Sequence, residues 1–287
     1  MNKGIMIAVC GSKGCGKTTT SVKLAVKLAE LKKEVILVLT DITAPDINVL
    51  LPAEKNINSM GNIWAIPDCS VDVINKACTT TKSNYIGILS YKNGENIFSN
   101  PDYTKENIMD IFMKIKNMAD YVIVDCVDAF AYNVLSTVAL ELSDKVIRMG
   151  EPTLKSFSYF DSNMKLLMDS RYKSSQHFKV LSKIKSYQAK DIAVSHLGEI
   201  QAELPYVEAL EKEMLEGELF SLSDTKPMKS YYAGLQFLMD YIDDTVTNTL
   251  PEAEDAKKED TTRKEPPVLK NPFSKLNFKR KRKEDSE

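Results

Sequence analysis

Eight consecutive residues carry the strongest chemical signal in the sequence: Gly11-Ser12-Lys13-Gly14-Cys15-Gly16-Lys17-Thr18. Their spacing is G-x-x-x-x-G-K-[ST], placed between an apolar β-branched run, Ile5–Cys10, and a helix-patterned stretch that starts at Thr18. Each residue type has a task at a polyphosphate. Glycines let the backbone fold back so that the successive N–H groups of Gly11 to Thr19 converge on phosphate oxygens. The N-terminus of the following helix adds partial positive charge. Lys17 is placed to reach the β- and γ-phosphates, and the Thr18 hydroxyl to ligate Mg²⁺. A bare glycine turn between a strand and a helix does not call for Gly-Lys-Thr at the helix start.

Chemistry at a γ-phosphate also needs a placed metal and an oriented water. Acids at the carboxyl ends of parallel strands face the ligand crevice of an α/β sheet. Two acids meet that condition: Asp41, at the end of Val38-Leu39-Thr40-Asp41, and Asp125, closing Tyr121-Val122-Ile123-Val124-Asp125. Taken singly, either is equally well a strand-end or helix-capping acid.

The elements that must hold these groups follow from hydrophobic period. Strand-like runs are Ile5–Cys10, Glu34–Leu39, Tyr85–Leu89, Tyr121–Cys126, Lys145–Met149, Phe178–Ile184 and Ile200–Leu204. Helix-like stretches are Thr18–Lys32, Glu106–Met118, Tyr132–Leu142, Thr153–Arg171 and a closing Met228–Val246. Strand–helix alternation with unbroken apolar strands predicts an α/β fold, a single nucleotide-binding domain with a mainly parallel sheet covered on both faces. Residues 1–249 fit that one domain. From Leu250 the composition changes: Pro251–Pro267 is charged and Pro-rich and reads as a disordered linker.

The chain has 287 residues and a formal charge of −2. Seven Lys/Arg fall in residues 270–283, so the remainder carries −9. An acidic body with a basic arm points outward. Phe273, Leu276 and Phe278 among those cations suit an anionic membrane surface or a protein partner, and a nucleic acid less well. No apolar run is long enough to span a bilayer. The N-terminal run is too short for a signal peptide, so the expected location is cytoplasmic, with a peripheral position on the inner membrane face left open. Five cysteines without a C-x-x-C pair read as free thiols, and His177 and His196 as structural or exposed.

With Lys13 included, Lys13-Gly14-Cys15-Gly16-Lys17-Thr18-Thr19 resembles the deviant Walker A motif, K-G-x-G-K-[ST]-T, of the ParA/MinD family of ATPases. The resemblance extends in order over roughly residues 4–245, although only the heptad is highly specific. It implies ATP and Mg²⁺ as ligands and an ATP-dependent homodimer. It implies that Lys13 crosses the dimer interface to the partner's nucleotide, and that Asp41 orients the attacking water and belongs to the metal side with Thr18. It implies that Asp125 holds Mg²⁺ through a water. It also implies that Lys183 and Pro205, around the late strands, lie at the adenine pocket.

Three departures bear on rate and base selectivity. Leu39 stands where the family often has a further acid, Cys126-Val127-Asp128 replaces the usual proline after the Walker B acid, and Leu181-Ser182-Lys183-Ile184 lacks the usual asparagine. Slow hydrolysis is the expectation. The segment Asp41–Asn48 looks more like the pilus-assembly (TadZ/CpaE-type) members than plasmid-partition members. The rivals are a scaffold that holds ATP without turning it over, and a P-loop kinase or ligase acting on a small molecule.

Overall fold

The computed structural model describes residues 4–188 and 190–242. The linker and basic arm lie outside the described residues, as does the end of the expected closing helix.

Eight strands form one sheet: β1 (Ile5–Gly11), β2 (Val35–Leu39), β3 (Thr79–Thr80), β4 (Ile86–Leu89), β5 (Tyr121–Asp125), β6 (Lys145–Gly150), β7 (Phe178–Ile184) and β8 (Ala202–Pro205). Their spatial order is β3-β4-β2-β5-β1-β6-β7-β8. Every pairing is parallel except β3 with β4. The mainly parallel α/β expectation therefore holds. Period-2 alternation divides the strands between two cores. On β1, Ile7 and Val9 face one side and Met6, Ala8 and Cys10 the other.

The first core is covered by α1 (Lys17–Glu30), α2 (Ile47–Leu50), α8 (Glu208–Glu216) and α9 (Lys226–Ile242). The second is covered by α3 (Val71–Ala77), α4 (Lys105–Lys116) and α5 (Val134–Leu142). α6 (Leu154–Leu167) and α7 (Asp191–Leu197) continue that face over β6 and β7, through Phe157, Phe160 and Leu197. Side-chain oxygens start three of these helices: Thr104, Asn133 and Thr153 each accept from a backbone N–H three residues on. α6 ends at Leu167 rather than at the expected Arg171, because Asp169 accepts from Arg171 N and Lys173 turns to positive φ.

A buried ion pair fastens α8 to α1. Lys23 Nζ donates to Glu213 Oε2 at 2.6 Å and to Ser221 O at 2.7 Å. The two bonds offset a burial that otherwise opposes the lysine's charge. Among the described residues, no helix is long and apolar enough to cross a membrane.

Candidate functional site

β1 is the axis of the site. It lies between β5 and β6, with Val9 level with Asp125 and Gly11 level with Met149. The chain leaves β1 at Gly11, where a Cβ would stand 1.9 Å from the Met149 carbonyl oxygen, so only glycine fits. Gly14 and Gly16 take φ of 79° and 83°, the left-handed region that glycine enters without strain. Gly16 immediately precedes α1, so the loop delivers the chain directly into a helix N-terminus.

The loop is stitched to the two strands beside it. Ser12 N and Cys15 Sγ both donate to Met149 O, at 3.2 and 3.4 Å. Ser12 Oγ lies 2.9 Å from Ser156 Oγ on α6. Ser182 Oγ donates to Cys15 O at 2.6 Å and to Gly150 O at 3.0 Å. Burial raises the Cys15 thiol above its ordinary value.

Inside this frame the charged groups converge. Lys17 Nζ donates to Ser12 O at 3.1 Å and to Gly11 O at 3.4 Å. Burial works against its charge, but the groups facing it, Cys15, Asp125 and Asp128 among them, hold it above the ordinary lysine value. Thr18 Oγ1 donates to Asp125 Oδ2 at 2.5 Å. The other carboxylate oxygen, Asp125 Oδ1, is buried and has no hydrogen-bond partner among the described residues. Burial pushes the Asp125 carboxyl up to about 7, against the pull of Lys17 and of the Thr18 hydrogen bond. Lys13 is exposed at the rim and makes no hydrogen bond or ion pair among the described residues.

Two cavities flank the loop. One, of about 200 Å³, is lined by Lys13, Gly14, Lys17, Thr18, Asp41, Ala44, Asp46, Asp125 and the Cys126–Asp128 segment. The other, of about 360 Å³, is more apolar. It is lined by Cys15, Gly16, Thr19, Ser182, Lys183, Pro205 and Tyr206, with Leu210, Glu211, Met214 and Leu215 of α8 and Tyr231 of α9 closing it. Thus the structure brings Lys13, Lys17, Thr18, Asp41 and Asp125 to one side of the loop and Thr19, Lys183 and Pro205 to the other. Lys183 sits at a register shift between β7 and β8 with φ of 52°, a strained setting for a non-glycine residue.

β2 stops at Leu39, so Asp41 lies two residues beyond the strand and not at its last position. Asp41 Oδ1 accepts from Thr43 N, Thr43 Oγ1 and Ala44 N, at 2.7, 2.6 and 3.1 Å, closing a turn. Asp46, at the end of that turn, shares the cavity. Burial, reinforced by Asp41, pushes its carboxyl up to about 6, with Lys17 opposing. Neither histidine is near. His177 is buried with Nε2 2.7 Å from Tyr172 O, and His196 stacks on Phe157 beside Asp161.

Sequence reasoning missed Asp46, Ser156, Ser182 and the whole of α8. The last had a signal: Leu210 and Met214 are spaced by a helical turn, with Gly217 just past the end, in E-A-L-E-K-E-M-L-E-G.

Comparison with known proteins agrees with this geometry. A family model described as an AAA domain matches residues 4–171. A putative septum site-determining protein MinD from Emiliania huxleyi is 28% identical over 129 residues, covering 42% of this chain and 43% of the relative. The septum site-determining protein MinD of Synechocystis is 29% identical over 128 residues, 44% of this chain and 45% of the relative. The chain thus spans a little under half the length of these curated relatives. Among solved structures, a ParA family ATPase from Chlorobium tepidum superposes with a TM-score of 0.66 at 16% identity, covering 82% of this chain and 99% of that one. MinD from Pyrococcus horikoshii, complexed with Mg-ADP, gives 0.64 at 17% identity, covering 85% and 97%. On the matched model and the loop it covers, the chain belongs to the AAA-domain family and, within it, to the ParA/MinD-type P-loop ATPases.

Proposed function

We propose that the chain is an ATP-binding, slowly ATP-hydrolysing switch whose nucleotide state sets its association with a second copy, and which positions cellular machinery. The observation that carries this reading is the pair of cavities on either side of Gly16–Thr18, one polar and lysine-lined, the other apolar. A nucleotide laid across the loop puts its base in the apolar one and its phosphates in the polar one. Lys17 then exchanges the Ser12 and Gly11 carbonyls for phosphate oxygens. Pro205, Tyr206 and the arm of Lys183 flank the base.

The residues present also fit Mg²⁺. Thr18 Oγ1 and Asp125 already face each other, and Asp125 Oδ1 is a buried oxygen with no hydrogen-bond partner among the described residues. Among the described residues no three His, Cys, Asp or Glu side chains gather as a cage, as suits an ion that takes phosphate oxygens and waters as its other ligands. Mg²⁺ bound there would neutralise charge on the phosphates. Asp41, which lines the same cavity, would orient the attacking water.

Lys13 supports the two-copy part of the reading. It is a cation at the rim of the phosphate cavity with no partner in its own chain among the described residues. We read residues 1–249 as the switch and 250–287 as an arm for an anionic membrane surface or a protein. The cargo class comes from relatives that determine septum sites or, for one solved neighbour from Aquifex aeolicus, form a MinC:MinD complex; the pilus-assembly branch is the finer alternative.

Light-scattering mass measurement on a sizing column tests the switch. The mass should double with Mg·ATP and not with Mg·ADP. The Lys13→Ala variant should stay single while still binding nucleotide. A single-copy mass in every nucleotide state would sink the dimer reading. The scaffold alternative is favoured by one feature, the burial of Leu39 in the core where no acid can replace it. Phosphate release at background, with membranes and DNA present, would select it.

A further inference from the structure

The apolar cavity beside the loop has few polar groups left to meet a base. Most hydroxyls that line it are already engaged. Ser182 Oγ donates to Cys15 O and Gly150 O, Thr20 Oγ1 lies 3.2 Å from Tyr231 Oη, and Tyr206 Oη donates to Glu211 Oε2 at 2.9 Å. The backbone at the end of β8 adds no donor: Pro205 has no N–H, and Tyr206 N donates to Ile184 O. Thr19 belongs to the first turn of α1, beside the loop. The late elements supply two groups, the Lys183 ammonium and the second carboxylate oxygen of Glu211, neither with a hydrogen bond or ion pair among the described residues. Both are held in place. Lys183 takes φ of 52° at the register shift between β7 and β8, and its Cε lies 3.7 Å from where a Cβ on Gly16 would stand. A non-glycine residue kept in the left-handed region stores strain, and such strain clusters at ligand sites. Glu211 is steadied by Tyr206, whose ring carries Lys185 Nζ 4.5 Å from its centroid. The cavity thus offers one donor-only and one acceptor-only side chain, and no Asn or Gln among its described lining residues. A side-chain amide is the group that matches the N6–H donor and N7 acceptor of adenine together. Lysine matches O6 and N7 of guanine, which both accept.

We propose that this cavity takes guanine as well as adenine, so that GTP is a second nucleotide ligand: Lys183 donates to guanine O6 and N7, and Glu211 accepts from N1–H and N2–H. The inference rests on the nucleotide reading above. The loop, Lys17 and Asp125 meet phosphates that both nucleotides share, so the choice of base falls to Lys183 and Glu211. Leu210 and Met214 present apolar surface that suits the face of either purine. Adenine gives the pair less: its N7 accepts from Lys183, but it offers Glu211 a single donor, N6–H, beside the acceptor N1. The competing role for Lys183 is a phosphate contact made across Gly16.

Calorimetric titration of the full chain with Mg·ATP and with Mg·GTP decides between them, with thermal melts verifying that each variant folds. GTP should bind within about fivefold of ATP. Lys183→Met should weaken GTP at least about tenfold and ATP less than about threefold. Glu211→Ala, at an exposed position on α8, should also weaken GTP more than ATP. The inference is overturned if ATP is preferred by more than about fivefold. It is also overturned if Lys183→Met weakens both nucleotides equally, which puts the ammonium on the shared phosphates, or if neither variant changes GTP binding. A chain that binds ATP and not GTP leaves the nucleotide-binding reading standing; a chain that binds neither removes both.

Discussion

From Gly11 to Thr18 the chain is hydrogen-bonded to its neighbours; from Asp41 to Ala44 it closes mainly on itself. The first loop is clamped between β6 and β7 by Met149 O, Ser156 and Ser182. The second closes on the Asp41 side chain, then seats Ile47 and Leu50 in the first core, with Asn48 Oδ1 accepting from Asn93 N at 3.2 Å. Asp41 and Asp46 of this segment line the polar cavity. A cradle made of backbone must be rigid to work, because its donors cannot rotate independently of the chain. A turn closed by one of its own side chains can adjust locally, while α2 beyond it stays seated in the first core.

This contrast can be broken in several ways. The largest effect is expected from Gly11→Ala, whose methyl group meets the Met149 carbonyl. It should cost about 3 kcal/mol or more and lower Tm by roughly 10 °C for a domain of this size. A melt near that of wild type would mean that the loop is softer than its stitching implies.

A middle-sized effect concerns pH without nucleotide. Asp125 and Asp46 are raised from 3.8 to about 7 and about 6. The folded chain therefore holds protons that the unfolded chain has released, and stability falls as pH rises through that window. Thermal melts should drop between about pH 4 and about pH 7, and Asp125→Asn should abolish most of the drop. In that variant the fall still due to Asp46 is opposed by His177, which burial lowers to about 4 and whose stabilising neutral form is lost on the acid side. A wild-type Tm flat over that range would contradict the burial of Asp125. The smallest effect is expected from Asp41→Ala. It should change stability by only about 1 kcal/mol, because the turn is exposed, yet limited proteolysis within Asp41–Leu51 should accelerate several-fold.

The same contrast explains what was legible in the sequence. Lys17, Thr18 and Asp125 could be read because their positions follow from local pattern: a glycine loop between strand and helix, and an acid closing an apolar run. The parallel sheet was readable for the same reason. Ser182 and Ser156 were not, since each reaches the loop across more than a hundred residues of chain. Asp46's place in the cavity wall was hidden because it depends on α2, a four-residue helix too short to leave a period. The two-residue β3 left none either. α8 was legible and overlooked, and with it much of the apolar cavity wall.

A thiol inside a phosphate loop would ordinarily tie nucleotide handling to the oxidation state of the surroundings. Cys15 is fully buried, with its Sγ turned toward the Met149 carbonyl and burial favouring the protonated form. The thiolate is the form that oxidants and alkylating reagents attack. The loop therefore carries sulfur as a small apolar packing atom and not as a redox sensor, and swings in cellular thiol poise leave the cradle's shape alone.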